Sequence, residues 1–121
     1  MTNQKPSQML RKAWALIDAP EKWTQGISAC NKEQQFRAPH DLDASCFCSF
    51  GAIIKSIDQK YSTIFQNSEI IKSQIDYLKK AMESRCVAEF NDTHTWEEVK
   101  SAWMKAIALA EEDETKNEQT I

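Results

Sequence analysis

The chain is short of the residues that form tight turns, with two glycines and three prolines among 121 residues. Few glycines leave few positions for the positive φ angles of hairpin turns, which disfavours a many-stranded β protein. They also exclude the glycine-rich phosphate loops of nucleotide-binding proteins. No apolar run approaches the ~18 residues of a membrane span, and the first ten residues lack the apolar core of a signal peptide. We therefore expect a cytoplasmic protein that makes no membrane contact.

A strong excess of basic residues is also missing, since the formal net charge is −3. The segment Glu111–Glu118 holds five acids and one base, and elsewhere acidic and basic residues nearly balance. This balance lacks the basic footprint of a nucleic-acid-binding domain, so no direct nucleic-acid binding is expected. We predict a single domain over residues 1–110, followed by a disordered acidic tail over 111–121.

The cysteines are few, and they lie at positions 30, 46, 48 and 86. Without a signal peptide, four cysteines in a chain of this length are predicted to be reduced thiols. Cys46 and Cys48 are one residue apart, which is an awkward spacing for a bridge between them. The same spacing is unlike the paired cysteines of zinc sites, so no metal and no cofactor are predicted.

Apolar residues recur every three or four positions and predict an all-α fold, a compact bundle of about four helices. The predicted helices run over about 7–18, 43–61, 67–84 and 95–110, and Thr95 with Glu98 forms a capping box for the last. A long, irregular loop over about 20–43 separates the first two. Trp23 is predicted to anchor this loop, with Phe36 as a second candidate anchor. Loops of this length in a small domain often carry function.

The second predicted helix has an N-cap at Asp43 and contains Gly51, although glycine costs about 1 kcal/mol inside a helix. Two explanations stay open: another backbone approaches closely here, or the glycine leaves room for a ligand. The predicted apolar stripe of this helix comprises Phe47, Phe50, Ile54, Ile57 and Tyr61.

One constellation of residues allows thiol chemistry. Cys48 lies near a predicted helix N-terminus, where the helix dipole lowers a thiol pKa. Asp92 and His94 lie in the predicted loop before the last helix. Cys48 would be the nucleophile, His94 the base and Asp92 the group that orients it. The competing interpretation is that Asp92 hydrogen-bonds backbone groups of the turn and that His94 is an exposed turn residue.

Tryptophan is abundant for a chain of this length, with four residues. Trp14 and Trp103 fall on predicted core stripes. Trp23 and Trp96 fall in or beside loops, where one of them could line a pocket or an interface, because tryptophan is enriched in interfaces.

Four segments together resemble a known family. They are Trp23-Thr24-Gln25-Gly26, the Cys48-x-x-Gly51-Ala52 motif, Phe90-Asn91-Asp92, and a final helix from Val99 to Ala110. In this order they resemble a family of small, uncharacterised bacterial and phage-associated proteins of unknown function. The resemblance covers about residues 10–110. It implies a small, cytoplasmic, helix-rich protein and brings no activity with it. It also groups seven residues as one shared site: Trp23, Gln25, Gly26, Cys48, Gly51, Asn91 and Asp92.

Three hypotheses follow for the function. The first is a non-catalytic protein-binding or inhibitor module of bacterial or mobile-element origin, with an anti-defence role as one version, an unidentified protein partner and a homodimer as one possible assembly. Its predicted binding residues are Trp23, Gln25, Phe36, Asn91, Asp92 and Trp96. The alternative is a small thiol-dependent enzyme that uses Cys48 with Asp92 and His94. The third is a structural cluster in which Gln25, Asn91 and Asp92 tie the long loop to the last helix.

Overall fold

The computed structural model describes residues 5–57 and 64–119. Within these ranges the chain forms five α-helices and a two-stranded antiparallel sheet, with a 3₁₀ turn at Pro20–Lys22. The elements in chain order are α1 (Pro6–Trp14), β1 (Ala29–Cys30), β2 (Cys46–Phe47), α2 (Ser49–Ser56), α3 (Ile64–Met82), α4 (Val87–Thr93) and α5 (Trp96–Gln119). The prediction of a helix-rich protein is confirmed. The finer prediction of an all-α, four-helix bundle is wrong, because the long loop contains a small sheet and a fifth helix precedes α5.

The first and last helices begin where the sequence predicts. Proline occupies the first position of α1, where its fixed φ suits a helix and its missing N–H is not needed. At α5, the Glu98 carboxylate accepts a hydrogen bond from the Thr95 backbone N–H at 2.9 Å, and the Thr95 hydroxyl accepts one from the Glu98 N–H at 3.2 Å. The capping box is therefore confirmed. The bond from the Thr95 N–H also lowers the pKa of Glu98.

The second predicted helix is wrong at its start and on its buried face. Helix α2 begins at Ser49, with Cys48 rather than Asp43 as its N-cap. Phe47 lies in β2, and Phe50 is exposed, whereas Ala52 and Ile53 are fully buried. The apolar residues of a short strand followed by a helix mimic one continuous helical stripe. Helix α2 ends at Ser56, with Ile57 extended, which is earlier than the sequence predicts, and Tyr61 lies outside the described residues.

The predicted break near Ser84 separates α3 from α4. Glu83 follows the last residue of α3 with a left-handed φ of 52° and ends the helix. Asn91 and Asp92 lie on the last turns of α4 rather than in the loop that the sequence predicts, and His94 directly follows this helix. A helix of seven residues is too short to give a periodic apolar pattern of its own.

The segment predicted to be an acidic tail, 111–121, is mostly helical, because α5 continues to Gln119. Two of its acidic side chains contact α1. Glu114 accepts hydrogen bonds from the backbone N–H and the hydroxyl of Ser7 at 3.0 and 2.6 Å, and Glu111 pairs with Arg11 at 2.6 Å. These contacts hold the acidic turns against the rest of the fold.

Helix α1 packs against α2, α3 and α5, and α3 also packs along α5. The core between them is apolar, and Trp103 is its largest fully buried side chain. Other fully buried members are Leu10, Ala13, Ile17, Ala29, Ala52, Ile53, Leu78, Val99, Ala106 and Ala110. In the described part of the chain, no helix is long and apolar enough to cross a membrane.

One polar side chain in this core is unexplained by its surroundings. Gln74 on α3 is fully buried, and neither its amide nitrogen nor its amide oxygen has a hydrogen-bond partner among the residues that the structure describes. An unpaired buried polar group costs about 1–3 kcal/mol. Gln74 therefore works against the stability of the helix interface in which it lies.

We expect Gln74→Met to stabilise the protein, because methionine has a similar length and no group that needs a hydrogen bond. The free energy of unfolding should rise by about 1–2 kcal/mol. Urea denaturation measures this as a higher midpoint with an unchanged slope. A lower midpoint would show that the amide is paired in solution and would contradict the assignment.

Candidate functional site

Three of the four segments that carry the family resemblance meet at the side chain of Asn91, which is fully buried on α4. Its amide oxygen accepts hydrogen bonds from the Trp23 indole N–H at 2.7 Å, the Ser49 backbone N–H at 3.0 Å and the Ser49 hydroxyl at 2.8 Å. All three bonds need an acceptor, which fixes the orientation of the amide. One oxygen thus joins the long loop, the start of α2 and α4.

The nitrogen of the same amide completes the junction. It donates to the Thr24 carbonyl at 3.0 Å and to the Asp92 carboxylate at 3.1 Å. The Asp92 carboxylate also accepts the Gly26 N–H at 2.9 Å, and the Gln25 side chain donates to the backbone carbonyl of Asn91 at 3.0 Å. These bonds connect residues 23–26 with α4. The structural-cluster hypothesis expects contacts from Gln25, Asn91 and Asp92 that tie the loop to the last helix, whereas the observed bonds tie it to α4.

The junction extends into the core through Ser49. The Trp103 indole N–H donates to the Ser49 hydroxyl at 3.0 Å, and that hydroxyl donates onward to Asn91. Both Trp103 and Ser49 are fully buried. Each polar side-chain atom of this hydrogen-bond network has a partner. A satisfied buried network of this kind favours a single arrangement of the elements that it joins.

Trp96 is held in a separate aromatic group. Its ring stacks on Trp14 with centroids 6.2 Å apart, and Trp14 in turn contacts Trp103 at 5.8 Å. The Trp96 indole N–H donates to the Ile17 carbonyl at 3.0 Å. Trp96 thus fastens the end of α1 to the start of α5, while the Lys100 ammonium lies 5.4 Å from its ring.

The structure decides between the two explanations for Gly51. A Cβ atom added at this position would lie 1.9 Å from the carbonyl oxygen of Ser28. That oxygen accepts the Cys48 N–H at 3.1 Å, so the loop backbone is bonded against the first turn of α2. Close approach of another backbone explains this glycine, and no room for a ligand is left there.

The residues of the proposed thiol chemistry are near one another, but they are not arranged as a nucleophile and base. Cys48 is buried, and its sulfur accepts the Gly51 N–H as the N-cap of α2. Burial raises the pKa of Cys48, and the nearby negative charge of Asp92 raises it further. The His94 imidazole instead stacks on Phe90, with centroids 3.7 Å apart. No hydrogen bond connects the Cys48 sulfur with Asp92 or His94 within the described ranges.

The prediction that all cysteines are reduced is wrong, since Cys30 and Cys46 form a disulfide. They face each other across the antiparallel strands with Cα atoms 5.3 Å apart, a separation that a disulfide spans. The signal that sequence reasoning lacked is the strand register, which only the fold provides. Cys48 and Cys86 are free.

The disulfide closes the base of a loop over residues 31–45, which we call the clamped loop. Polar side chains fix its interior. The Asn31 amide donates to Gln35 at 2.9 Å and to Asp43 at 3.2 Å, and Arg37 pairs with the same carboxylate at 3.1 Å. The start of the loop and its end are thus joined at Asp43. The Asp43 carboxylate is engaged within the loop and does not cap a helix.

The clamped loop presents two large apolar side chains to solvent. Phe36 is 62% exposed and Leu42 is fully exposed. The prediction that Phe36 anchors the loop is therefore wrong for its side chain, although its backbone bridges to Cys30 beside β1. Leu42 lies in a tight turn that is closed by a bond from the Ala44 N–H to the Asp41 carbonyl at 3.0 Å. Sequence reasoning missed Leu42 because an isolated leucine in a polar segment carries no periodic signal.

An open groove of about 740 Å³ lies beside the base of the clamped loop. Its lining includes both disulfide cysteines together with Trp23, Gln25 and Lys32. The groove therefore separates the clamped loop from the segment that the Asn91 junction fixes. Its walls belong to two parts of the chain that different interactions hold in place.

Comparison with known proteins finds one family. The model of DUF6197, a family of unknown function, matches residues 1–109. Membership of an uncharacterised family is what the four motifs imply. No curated protein and no solved structure matches the chain.

Removing the Asn91 side chain should strongly destabilise the protein. Asn91→Ala leaves the Trp23 indole and the Ser49 N–H without their acceptor, and an unsatisfied buried donor costs about 1–3 kcal/mol. We expect the free energy of unfolding to fall by about 3 kcal/mol or more, measured by urea denaturation. Asp92→Asn is the control: it keeps an acceptor oxygen and should lose about 1 kcal/mol or less. Equal stability of the two variants would contradict the central role of Asn91.

Cys48 should be an unreactive thiol. Since its pKa is raised and its sulfur is buried, little thiolate forms at neutral pH. With iodoacetamide, we expect the exposed Cys86 to be alkylated first and Cys48 at least about tenfold more slowly. Peptide mass spectrometry over time gives both rates. In the Cys48→Ser variant the signal assigned to alkylated Cys48 should disappear. Faster alkylation of Cys48 than of Cys86 would support the enzyme hypothesis instead.

Proposed function

Because the chain belongs to the DUF6197 family, whose function is unknown, we propose from the structure that it is a small, non-catalytic protein-binding module. In this proposal the clamped loop inserts Phe36 and Leu42 into an apolar pocket on a protein partner. The observation that carries the proposal is the full exposure of Leu42 and the large exposure of Phe36 on one braced loop.

The energetics favour contact through these two side chains. Burying a large apolar side chain contributes a favourable free energy of about 1.5–3 kcal/mol. In the free protein, Phe36 and Leu42 do not gain most of this free energy because they are exposed. Both residues project from the loop, so the complementary surface belongs to the partner. A projecting apolar loop suits insertion into a protein cleft, as inhibitor loops do, better than capture of a small molecule.

The bracing of the loop supports the same function. Ordering a flexible segment on binding costs about 0.5–1.5 kcal/mol for each immobilised side chain. In the clamped loop, the disulfide and the contacts around Asn31 and Asp43 fix the backbone beforehand. Binding would therefore retain most of the free energy gained from the apolar contacts.

The other residues predicted to bind receive positioning roles in this proposal. Residues 23–28 lie beside β2, where the Thr24 N–H donates to the Phe47 carbonyl at 2.9 Å. The hydrogen bonds of Trp23, Gln25, Asn91 and Asp92 hold this segment in place. Trp96 joins the end of α1 to the start of α5, since its ring stacks on Trp14 and its indole N–H donates to the Ile17 carbonyl. Of the three aromatic residues in the predicted set, Phe36 is the most exposed, and we assign the partner contact to it.

The thiol-enzyme alternative has less support, since Cys48 is buried as a helix cap and the charge of Asp92 opposes its ionisation. A cytoplasmic location, a bacterial or phage-associated origin, an anti-defence role and a homodimer stay predictions from the sequence.

The binding proposal is tested by the double variant Phe36→Ser and Leu42→Ser, which removes the exposed apolar surface and leaves the loop contacts intact. With immobilised wild-type protein and a lysate of the source organism, we expect a specific partner to be retained. The double variant should lose at least about tenfold of this retention, which corresponds to about 1.4 kcal/mol. Quantitative mass spectrometry of the retained proteins measures the ratio.

The matched control is Met104→Ser, which removes an apolar side chain of 39% exposure on α5, outside the clamped loop. This variant should retain the partner as wild type does. Equal loss in both variants would indicate non-specific hydrophobic adsorption. Retention of a partner that neither variant changes would contradict the placement of the binding surface.

A further inference from the structure

We propose that the Cys30–Cys46 disulfide is a redox switch that controls the order of the clamped loop. The disulfide form holds Phe36 and Leu42 in place, and reduction by a dithiol releases them while the helical core stays folded. The inference rests on the proposed function only for its consequence, which is weaker binding in the reduced state.

Besides the disulfide, the clamped loop is held by polar contacts, which include a bond between the His40 ring and the Ile57 carbonyl at 2.9 Å, and by Ala44, which packs against the core. Among residues 31–45, Asn31 is the only residue that is buried. The apolar side chains of the clamped loop are exposed or half-buried, so hydrophobic burial contributes little to the loop conformation. The pair of Arg37 and Asp43 is open to solvent on its acidic side, and exposed ion pairs are weak.

The core does not depend on the disulfide in the same way. Ala29 and Phe47, the residues next to the two cysteines, are buried in the helical core. Backbone bonds from Thr24 to Phe47 and from Cys48 to Ser28 hold the two strands from the outside. Opening the disulfide therefore frees residues 31–45 while the strand positions that face the core stay fixed.

The position of the disulfide also suits exchange with a small thiol. Although Cys30 and Cys46 are 2% and 8% exposed, both line the open groove, and Lys32 stands at its wall. Lys22 and Glu21 also line the groove, and the two lysines give its lining a net positive charge, which favours the approach of a thiolate. A reductant that enters the groove therefore lies beside both cysteines.

The reaction is a two-step thiol–disulfide exchange. A thiolate of the dithiol attacks one sulfur, the S–S bond breaks, and the displaced cysteine leaves as a thiolate that takes up a proton. The second thiol of the reductant then attacks the mixed disulfide and releases the other cysteine. Two electrons and two protons pass to Cys30 and Cys46, and the reductant becomes a cyclic disulfide.

Hydrogen exchange of the full chain tests the switch without a partner. The reporters are the backbone N–H groups of Gln35 and Arg37, which donate to Asn31 and Ala29 at 2.9 and 3.0 Å. We expect them to exchange at least tenfold faster after treatment with dithiothreitol. The N–H groups of Ala52 and Val99, in the first turns of α2 and α5, should keep their rates.

Two variants complete the experiment. The double variant Cys30→Ser and Cys46→Ser should show the fast exchange of the reduced protein without any reductant. Cys86→Ser, which removes an exposed free thiol, should respond to dithiothreitol as wild type does. Unchanged exchange in residues 31–45 after verified reduction would overturn the proposal. Faster exchange throughout the chain would also overturn it, because the disulfide would then support the whole fold.

The outcomes separate the two proposals. If the loop becomes mobile on reduction but no partner depends on Phe36 and Leu42, the switch stands and the binding function fails. If a partner depends on these residues and binds both redox forms equally, the binding function stands and the switch fails.

Discussion

The hydrogen bonds of one buried amide hold the irregular part of this protein to its helices. The oxygen of Asn91 accepts from Trp23 and from Ser49, and its nitrogen donates to Thr24 and Asp92. These partners lie 42 to 68 positions away, with the exception of the neighbouring Asp92. Asn91 is fully buried, and its bonds to Ser49 are made away from competing water. The register of the long loop against α2 and α4 follows from this single side chain.

The loop is organised from its ends inward. At one end the Asn91 junction fixes residues 23–26, and at the base the Gly51 position lets the Ser28 backbone lie directly against α2. The disulfide then closes residues 31–45 on the far side of the strands. The loop is therefore held to the core by hydrogen bonds, one close backbone contact and one covalent bond. Apolar packing within the loop contributes little.

The features that the sequence predicted correctly depend on neighbours in the chain. The capping box of Thr95 and Glu98 is set by a spacing of three, and the break before α4 by the end of an apolar stripe. The features that it missed depend on distant partners. The register that pairs Cys30 with Cys46 has no local signature, and a strand of two residues is too short to alternate.

The candidate site divides in the same way. The four motifs grouped Trp23, Gln25, Asn91 and Asp92, and the structure brings these residues into one hydrogen-bond network. The structural-cluster hypothesis expected Gln25, Asn91 and Asp92 to act together, but the individual donors and acceptors and the roles of Ser49 and Trp103 required the fold. The exposed Leu42 was not predicted, since its significance lies in the absence of any contact. Phe36 was singled out for its type, and its exposure became known only from the structure.

The paired cysteines at the base of the loop have a consequence for how such a chain can diversify. Their Cα atoms lie 5.3 Å apart across the two strands, so the disulfide fixes the distance between the two ends of the loop. The entropy of closing a loop rises only slowly with its length, so residues can be inserted or exchanged there at little thermodynamic cost. The helices can serve as a constant framework, and the segment between the cysteines is where new recognition sequences can be grafted.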